Sequence, residues 1–552
     1  MKKILLSLSI AFMACTLQAA SFGTVKWTKS VEAFSLADKA VRSAPVAVSS
    51  DGNTYVAGSF NTDMAFGTAI LSNVATSAFI GKYDAEGKAL WAVAMKGAAR
   101  ITSITADGSG NVYAVGTFAK EVKLTSTGNN PEVTINGKVD DDSRSSFFMV
   151  KYDKDGKLLA HQVVVPKVKN DIVNSGNYFE SPDATFFLSN KVMWVDNRLY
   201  FSAEYTGESS FGGKSLVANY FLYGNFMYVS IPRMGVYSVD ASNLGNLKEE
   251  LALTYDNEGA ENMTRPESVN FTVADGKLYA AFVATGKVKL TSPNKTETFT
   301  FGEGNGKREH GFIFSEVSGT TTLTTPFHSA YTDVETNYNL LGAMTFDKDN
   351  VYVAGTFNQP AVFGVNKTFK GGSDVFVAAF NRNTNGVRWV ATSGFDDGDN
   401  KKNREVLVGM SAVNGKMAVA AYAEETTEHK PQTALVYTLT SNGTLTKGND
   451  SFVYGLGNNH NTIVTSTVDG TTITYTAFDA DETTGVRTVA DDAVVTRQGD
   501  VFNFSRALDA QVYNLQGALL LNQKGTRSLS VATLPQGVYV LKAGANKQKF
   551  VK

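Results

Sequence analysis

A single cysteine, Cys15, and only five histidines in 552 residues leave this sequence short of the groups that build disulfides and transition-metal sites. None of His161, His310, His328, His429 and His460 has a second histidine or a cysteine at metal-ligand spacing, so no zinc centre is expected. Catalytic signatures are missing too. No GxSxG, HExxH or phosphate-binding glycine loop occurs, and Glu309-His310 and Glu428-His429 stand as isolated pairs. Neither sign of charge is in excess: 51 Lys+Arg against 53 Asp+Glu give a net charge of −2, which excludes the basic footprint of a nucleic-acid-binding protein. No apolar run reaches the roughly 18 residues a transmembrane helix needs. Nothing implies a cofactor.

What is present is a chain 43% hydrophobic and 19% charged, enough to bury one large core and a second, smaller one. Residues 1–20, MKKILLSLSIAFMACTLQAA, place Lys2 and Lys3 ahead of a short apolar stretch and end in Ala19 and Ala20, the form of a Sec signal peptide. Cleavage there removes Cys15 and leaves a mature chain without disulfides. In the alternative, FMAC at 12–15 acts as a lipobox and Cys15 becomes an acylated N-terminus.

Internal repeats dominate the rest. VAVSSDGNTYVAGSF (46–60), SITADGSGNVYAVGTF (103–118) and GAMTFDKDNVYVAGTF (342–357) share two apolar runs around a polar turn, a β-hairpin pattern. Weaker copies lie at 192–207, 269–286, 409–425 and 464–479. The intervals between Tyr55, Tyr113, Tyr200, Tyr279, Tyr352, Ala418 and Ile473 are unequal, which implies insertions in loops on one rim. A second two-strand unit follows each hairpin, as in SAFIGKYDAEGKALWAVAM (77–95), FFMVKYDKDGKLLAHQVVV (147–165) and VFVAAFNRNTNGVRWVATSG (375–394). Four antiparallel strands per repeat make the blade of a β-propeller of about seven blades. Phe66-Gly67, Phe211-Gly212, Phe301-Gly302 and Phe363-Gly364 recur as a bend between the two units, where the ring can plug neighbouring blades. TVKWTKSV (24–31) has the pattern of a fourth strand, with Trp27 standing where Trp91 and Trp389 stand. It is expected to complete the last blade and close the ring.

These units resemble a bacterial β-propeller repeat family whose blades carry a DAFVAKLD-like strand, a DGxLLW-like turn and a YVAGxT-like strand. DVFVAAFNRNTNGVRWVATSG (374–394) and NVYVAGTF (350–357) match best. Such repeats specify architecture and no single activity. Beyond residue 490 the chain changes to short alternating strands with turns at Gly499, Gly517, Gly525 and Gly537, read as a small β-sandwich over 491–552. VYNLQGALLL (512–521), LPQGVYVLKA (534–543) and KQKFVK (547–552) resemble the C-terminal sorting domain of type IX secretion cargo. The resemblance implies Sec export to the periplasm, recognition by the type IX machinery, and release or attachment at the cell surface. It assigns recognition to Asn514, Gly517, Leu534, Pro535, Gly537, Tyr539 and the stretch ending at Lys552. The residue-level alternative is that the glycines make turns and the lysines keep an edge strand soluble. The whole chain is thus expected to be all-β: signal peptide 1–20, propeller 21–490, sorting domain 491–552.

Two features within the propeller suggest ligands. Asp140-Asp141-Asp142, Asp153 with Asp155, and 396–400 (DDGDN) are acidic runs of the kind that suits calcium, yet none has the full EF-hand spacing, and DKDGK, at a turn that another repeat fills with DAEGK, reads better as a hairpin turn. Tyr220, Phe221, Tyr223, Phe226 and Tyr228 crowd one insertion, either as a sugar- or peptide-binding platform or as alternate core positions. Scarce histidine, few charges and insertions rich in Asn, Ser, Thr and aromatics favour a secreted, non-catalytic surface binding or adhesion protein for a glycan or protein ligand. The alternative is a secreted glycan- or peptide-active enzyme on the same scaffold.

Overall fold

The computed structural model describes residues 22–34, 44–72, 76–137, 146–167, 179–180, 187–218, 220–223, 227–230, 232–255, 265–301, 310–328, 340–394, 403–413, 416–425, 431–439, 443–447, 452–459, 461–479, 495–498, 500–543 and 546–552. The signal-peptide segment, the acidic runs at 140–142 and 396–400, Glu309, Glu428, His429, His460 and Phe226 lie outside them. The chain separates into two compact units, Met1–Glu482 and Thr483–Lys552. Every element among the described residues is a β-strand, and no helix there is long and apolar enough to cross a membrane.

Unit one is built from antiparallel four-strand runs in chain order. The first contains Val46–Val48, Thr54–Phe60, Ser77–Tyr83 and Ala89–Lys96; the second, Ala99–Ala106, Val112–Phe118, Ser146–Tyr152 and Leu158–Val164. The third comprises Val192–Val195, Arg198–Tyr205, Arg233–Asp240 and Lys248–Tyr255; the fourth, Arg265–Ala274, Lys277–Ser292, His310–Ser318 and Thr321–His328. Leu340–Phe346, Asn350–Phe357, Asp374–Asn381 and Val387–Thr392 form the fifth; Asn403–Val413, Lys416–Glu425, Pro431–Leu439 and Leu445–Lys447 the sixth. The last takes Gly455–Asn458, Thr462–Asp469 and Thr472–Asp479 from the end of the unit and Thr24–Glu32 from its beginning. The first strand of each run touches the first strand of the next, and Gly455–Asn458 touches Val46–Val48, so these inner strands make a closed circuit.

Burial explains why these segments become strands. TYVAGSF, VYAVGTF and NVYVAGTF are buried along their whole length, as strands covered on both faces must be. The outer strand Leu158–Val164 instead leaves alternate residues exposed. Each large apolar cluster joins two successive runs: Val56 and Phe79 with Ile473 and Tyr475, Tyr55 and Ile80 with Ile104 and Phe148, and so on round to Ala420 and Val436 with Ile463 and Phe478. The hydrophobic driving force therefore acts between sheets, and the circuit closes through its cores as well as its inner strands.

Two departures from the expected pattern have physical causes. The copy at 464–479 supplies the second and third strands of its run, not the first and second. The innermost strand is the four-residue Gly455–Asn458, whose GLGN sequence carries no apolar alternation, and Thr24–Glu32 pairs outside Thr472–Asp479 with Val31 opposite Ile473. The hydrogen-bonded sheets also fail to divide cleanly. The hairpin Glu121–Leu124/Val133–Asn136 extends the first run through Lys123–Lys96 pairing, and Lys277–Ser292 pairs with the outer strand of the third run and so fuses it to the fourth. In both cases an insertion after a second strand rides back over the outer strand of the preceding run.

The recurring letters are contacts between runs. Trp27 Nε1 donates to Ala85 O (3.2 Å) and Trp91 Nε1 to Lys154 O (2.9 Å), each reaching the outer turn of the next run. The glycine of that turn lies beneath the indole. A Cβ on Gly87 would sit 2.6 Å from Trp27, one on Gly156 2.9 Å from Trp91, and one on Gly443 2.8 Å from Trp389, while φ is +80°, +84° and +87°. Both the left-handed backbone and the close approach demand glycine. Asp153 builds its turn by accepting from the N–H groups of Asp155 (3.0 Å) and Lys157 (2.8 Å), the hairpin-turn role for DKDGK. Phe363 of one bend packs against Phe312 and Phe327 of the preceding run, at 4.7 and 5.5 Å.

In unit two, where two separate sheets are expected, the described strands join in one five-stranded sheet. Val501–Asn514 pairs with Leu519–Ser530 on one side. On the other it pairs first with Val495–Gln498 and then with Val538–Ala543, which pairs with Asn546–Val551. Register shifts along Val501–Asn514 bend the sheet. Phe502 of one half thereby meets Phe550 of the other at 4.9 Å.

Candidate functional site

The inner circuit of unit one carries the same irregularity in several runs. Register shifts between Ile101 and Ser103, Pro266 and Ser268, Leu341 and Ala343, and Leu407 and Gly409 leave Thr102, Glu267, Gly342 and Val408 as the extra residues of β-bulges. Bulges re-aim side chains, and here they lie on strands of the inner circuit. In the third run the inner strand is interrupted: Phe187–Leu188 and Val192–Val195 both pair with Arg198–Tyr205, and Ser189-Asn190-Lys191 lies between them. Thr102 Oγ1 donates to Ser189 O (2.5 Å), Val192 N to Ser103 Oγ (3.1 Å), and Ser202 Oγ to Asn190 Oδ1 (2.6 Å). The interruption is therefore held in one conformation from both sides.

Lys191 crosses from this interruption to two further runs. Its Nζ donates to Asn270 Oδ1 (3.1 Å), to Phe271 O and to Met344 O (2.9 Å), and lies 5.2 Å from the centre of the Phe271 ring. All three acceptors are neutral, so three donors of one ammonium tie the third run to the inner strands of the fourth and fifth. The side chain is partly exposed yet walled by protein, and burial pushes its pKa down to about 7. A lone lysine in SNKVMWV carries no sequence signal, and sequence reasoning missed it.

Unit two brings together all seven residues assigned to recognition. Asn514 lies opposite Tyr539 in the sheet. Its Oδ1 accepts from the N–H groups of Gln516 (3.1 Å) and Ala518 (2.8 Å), and Gly517 completes the turn at φ +83°. Tyr539 Oη donates to Pro535 O (2.9 Å). Lys552 N donates to Gly537 O (2.9 Å) and Gly537 N to Lys552 O (3.2 Å). The Lys552 ammonium donates to Leu534 O (2.6 Å) and Ala532 O, with Asp500 at 3.9 Å. The terminal residue is thus bound through both backbone and side chain to the LPQG segment. The turn geometry also satisfies the residue-level alternative, since Asn514 caps as Asp153 does.

For the aromatic insertion the structure gives register only. Tyr220–Tyr223 and Met227–Ser230 form a hairpin in which Phe221 faces Val229, Leu222 faces Tyr228 and Tyr223 faces Met227, with Phe179–Glu180 added in parallel. His161 and His328 are exposed and His310 is buried. Among the described residues no three His, Cys, Asp or Glu side chains group as metal ligands. The buried tyrosines that mark each repeat are structural. Tyr55 Oη donates to Gly110 O (2.7 Å) and Tyr113 Oη to Asp107 Oδ2 (3.0 Å), and burial, with Asp107 adding to it at Tyr113, holds both phenols well above their ordinary range.

No protein-family model matches the chain, and no curated protein matches it in sequence. Among solved structures it is similar to the β-propeller domain of Cps50 (Swd1) from Myceliophteria thermophila: 10% identity, 81% of this chain and 99% of that one, TM-score 0.36. It is also similar to the polysaccharide lyase Uly1 (9%, 80% and 91%, TM-score 0.40) and to an α-L-arabinanase from Penicillium chrysogenum (8%, 75% and 98%, TM-score 0.34). All three TM-scores lie below 0.5, and no activity passes from these proteins to this one.

Proposed function

We propose that this chain is an exported surface-binding protein built on a seven-bladed β-propeller, with 1–20 as signal peptide and 491–552 as the sorting domain read by type IX secretion machinery. The observation that carries the export half is the chain of contacts that links Gly517 to Asn514, Asn514 to Tyr539, Tyr539 to Pro535, and Lys552 to Leu534 and Gly537. The seven-bladed reading is supported by the closed circuit of inner strands and by the apolar clusters between successive runs. The binding half is supported by the division of labour in the ring: recurring Trp, Gly, Tyr and Asp residues are occupied in joining the runs, which leaves the insertions free to vary and to recognise a glycan or protein ligand.

The test has two arms. Expressed in a bacterium with type IX machinery, the full chain should reach the surface or medium, and a chain lacking 491–552 should stop in the periplasm. Equal surface display of the two overturns the export reading. The mature full chain, probed on glycan and protein arrays and on polysaccharide and peptide substrates, should bind without turnover. Sustained product formation overturns the binding reading in favour of an enzyme.

A further inference from the structure

We propose that Lys191 is a carbonyl-capturing amine at the interrupted inner strand of the third run, forming a reversible imine with a small uncharged aldehyde. The inference goes beyond the surface-binding reading and does not depend on it.

Three observations carry it. Lys191 occupies the interruption of an inner strand, so its side chain leaves the regular packing of the sheets and reaches across to the fourth and fifth runs. The residue as a whole is only half-buried, and the proposal requires that a small solute reach its Nζ. Its contacts at Asn270, Phe271 and Met344 are neutral, and no carboxylate among the described residues pairs with it. The charged residues carried on the strands beside it are Arg100, Arg198, Glu204, Arg265 and Glu267. A lysine walled in without a countercharge is the arrangement that favours the free amine at neutral pH, and the free amine is the nucleophile. Burial here pushes the group down to about 7.

The chemistry fits the acceptor set. An ammonium fills all three acceptors. A neutral amine has two N–H groups and a lone pair, which leaves one acceptor for the hydroxyl that forms next. The Nζ lone pair attacks the aldehyde carbon, the C=O π bond breaks, and a proton passes from nitrogen to oxygen to give a carbinolamine. Loss of water then forms the C=N bond, and water reverses the sequence. Three converging oxygens disfavour an anionic substrate, which selects an uncharged aldehyde.

Reductive labelling of the mature full chain tests this. The protein is incubated at pH 7 with glycolaldehyde and cyanoborohydride, whose hydride traps the imine as a secondary amine, and labelled lysines are quantified by peptide mass spectrometry. Exposed Lys154, held above its ordinary range by hydrogen bonding to Asp155, is the internal reference. At pH 7 about half of a group titrating near 7 is free amine, against about one part in 2,500 of an ordinary lysine, so initial labelling of Lys191 should exceed that of Lys154 at least about tenfold. The ratio should collapse above pH 10, and glyoxylate should label Lys191 more slowly than glycolaldehyde. Labelling of Lys191 no faster than Lys154 in a ring whose tryptophan fluorescence is native overturns the proposal. Equal rates with glyoxylate overturn the selectivity for an uncharged aldehyde.

Discussion

Replacing Gly87 by alanine isolates the contact that repeats around the ring. Two costs arise. The backbone there is left-handed, with φ +80°, which costs an L-residue roughly 1–2 kcal/mol. The new methyl would lie 2.6 Å from Trp27 Cγ and 2.7 Å from Cδ2, and overpacking against a ring already hydrogen-bonded to Ala85 O costs roughly another 1–3 kcal/mol. The expected loss is about 3 kcal/mol. Gly470 is the control: φ is +56° and a Cβ there meets nothing within 4 Å, so Gly470→Ala should lose only the backbone share, about 1 kcal/mol. All four tryptophans lie in unit one, so denaturant unfolding followed by tryptophan fluorescence reads the ring alone. In a Trp27→Leu background the penalty of Gly87→Ala should fall to the control value, a coupling of about 2 kcal/mol between the two sites. Equal losses at Gly87 and Gly470, or additive effects of Gly87→Ala and Trp27→Leu, would refute the claim that the indole dictates this glycine.

Two further outcomes follow from the sites. Burial depresses Lys191 to about 7 while an unfolded lysine titrates near 10.4, so the unfolded chain binds more protons between those limits and stability rises with pH across that window. Water reaching the side chain screens part of the effect, so wild-type stability relative to Lys191→Met should rise by about 1–2 kcal/mol from pH 7 to pH 9, measured as the difference of denaturant midpoints; parallel pH profiles would refute it. Lys552→Ala removes the donor to Leu534 O and Ala532 O and should cost unit two about 1–2 kcal/mol. Protease susceptibility of the 491–552 region should rise while the tryptophan transition of the ring stays in place.

How much of this fold could be read beforehand depends on how often a contact recurs. The pairing of Trp27 with the last run was legible because the same indole-over-glycine contact leaves the same letters at Trp91 and Trp389. The hairpins at 46–60, 103–118 and 342–357 were legible because each needs a fully buried second strand and an Asp- or Ser-capped turn. Gly455–Asn458 was not. Its glycines are required because the backbone of Ala44 and Val46 passes so close that a Cβ at Gly455 or Gly457 would lie 2.0 or 2.5 Å from a carbonyl oxygen. Close approach erases the apolar alternation by which a strand is recognised, and the hairpin at 464–479 therefore looked like the start of a run when it is the middle of one.

The same reasoning separates the two candidate sites. Four of the seven residues of unit two do local work that leaves a mark in the sequence: Gly517 takes positive φ, Asn514 caps, and Tyr539 and Lys552 donate to the carbonyls of Pro535 and Leu534. The proposed recognition would draw on the same letters as folding, so secretion assays must be read beside the stability of unit two. Lys191 is the opposite case. Its partners, Asn270, Phe271 and Met344, lie 79, 80 and 153 residues away on two other runs, and among the described residues no repeat copies the arrangement. A contact made once, between distant strands, leaves no pattern in the chain. It becomes visible only when the circuit closes, and it falls at an interrupted inner strand, where the third run departs from the repeat.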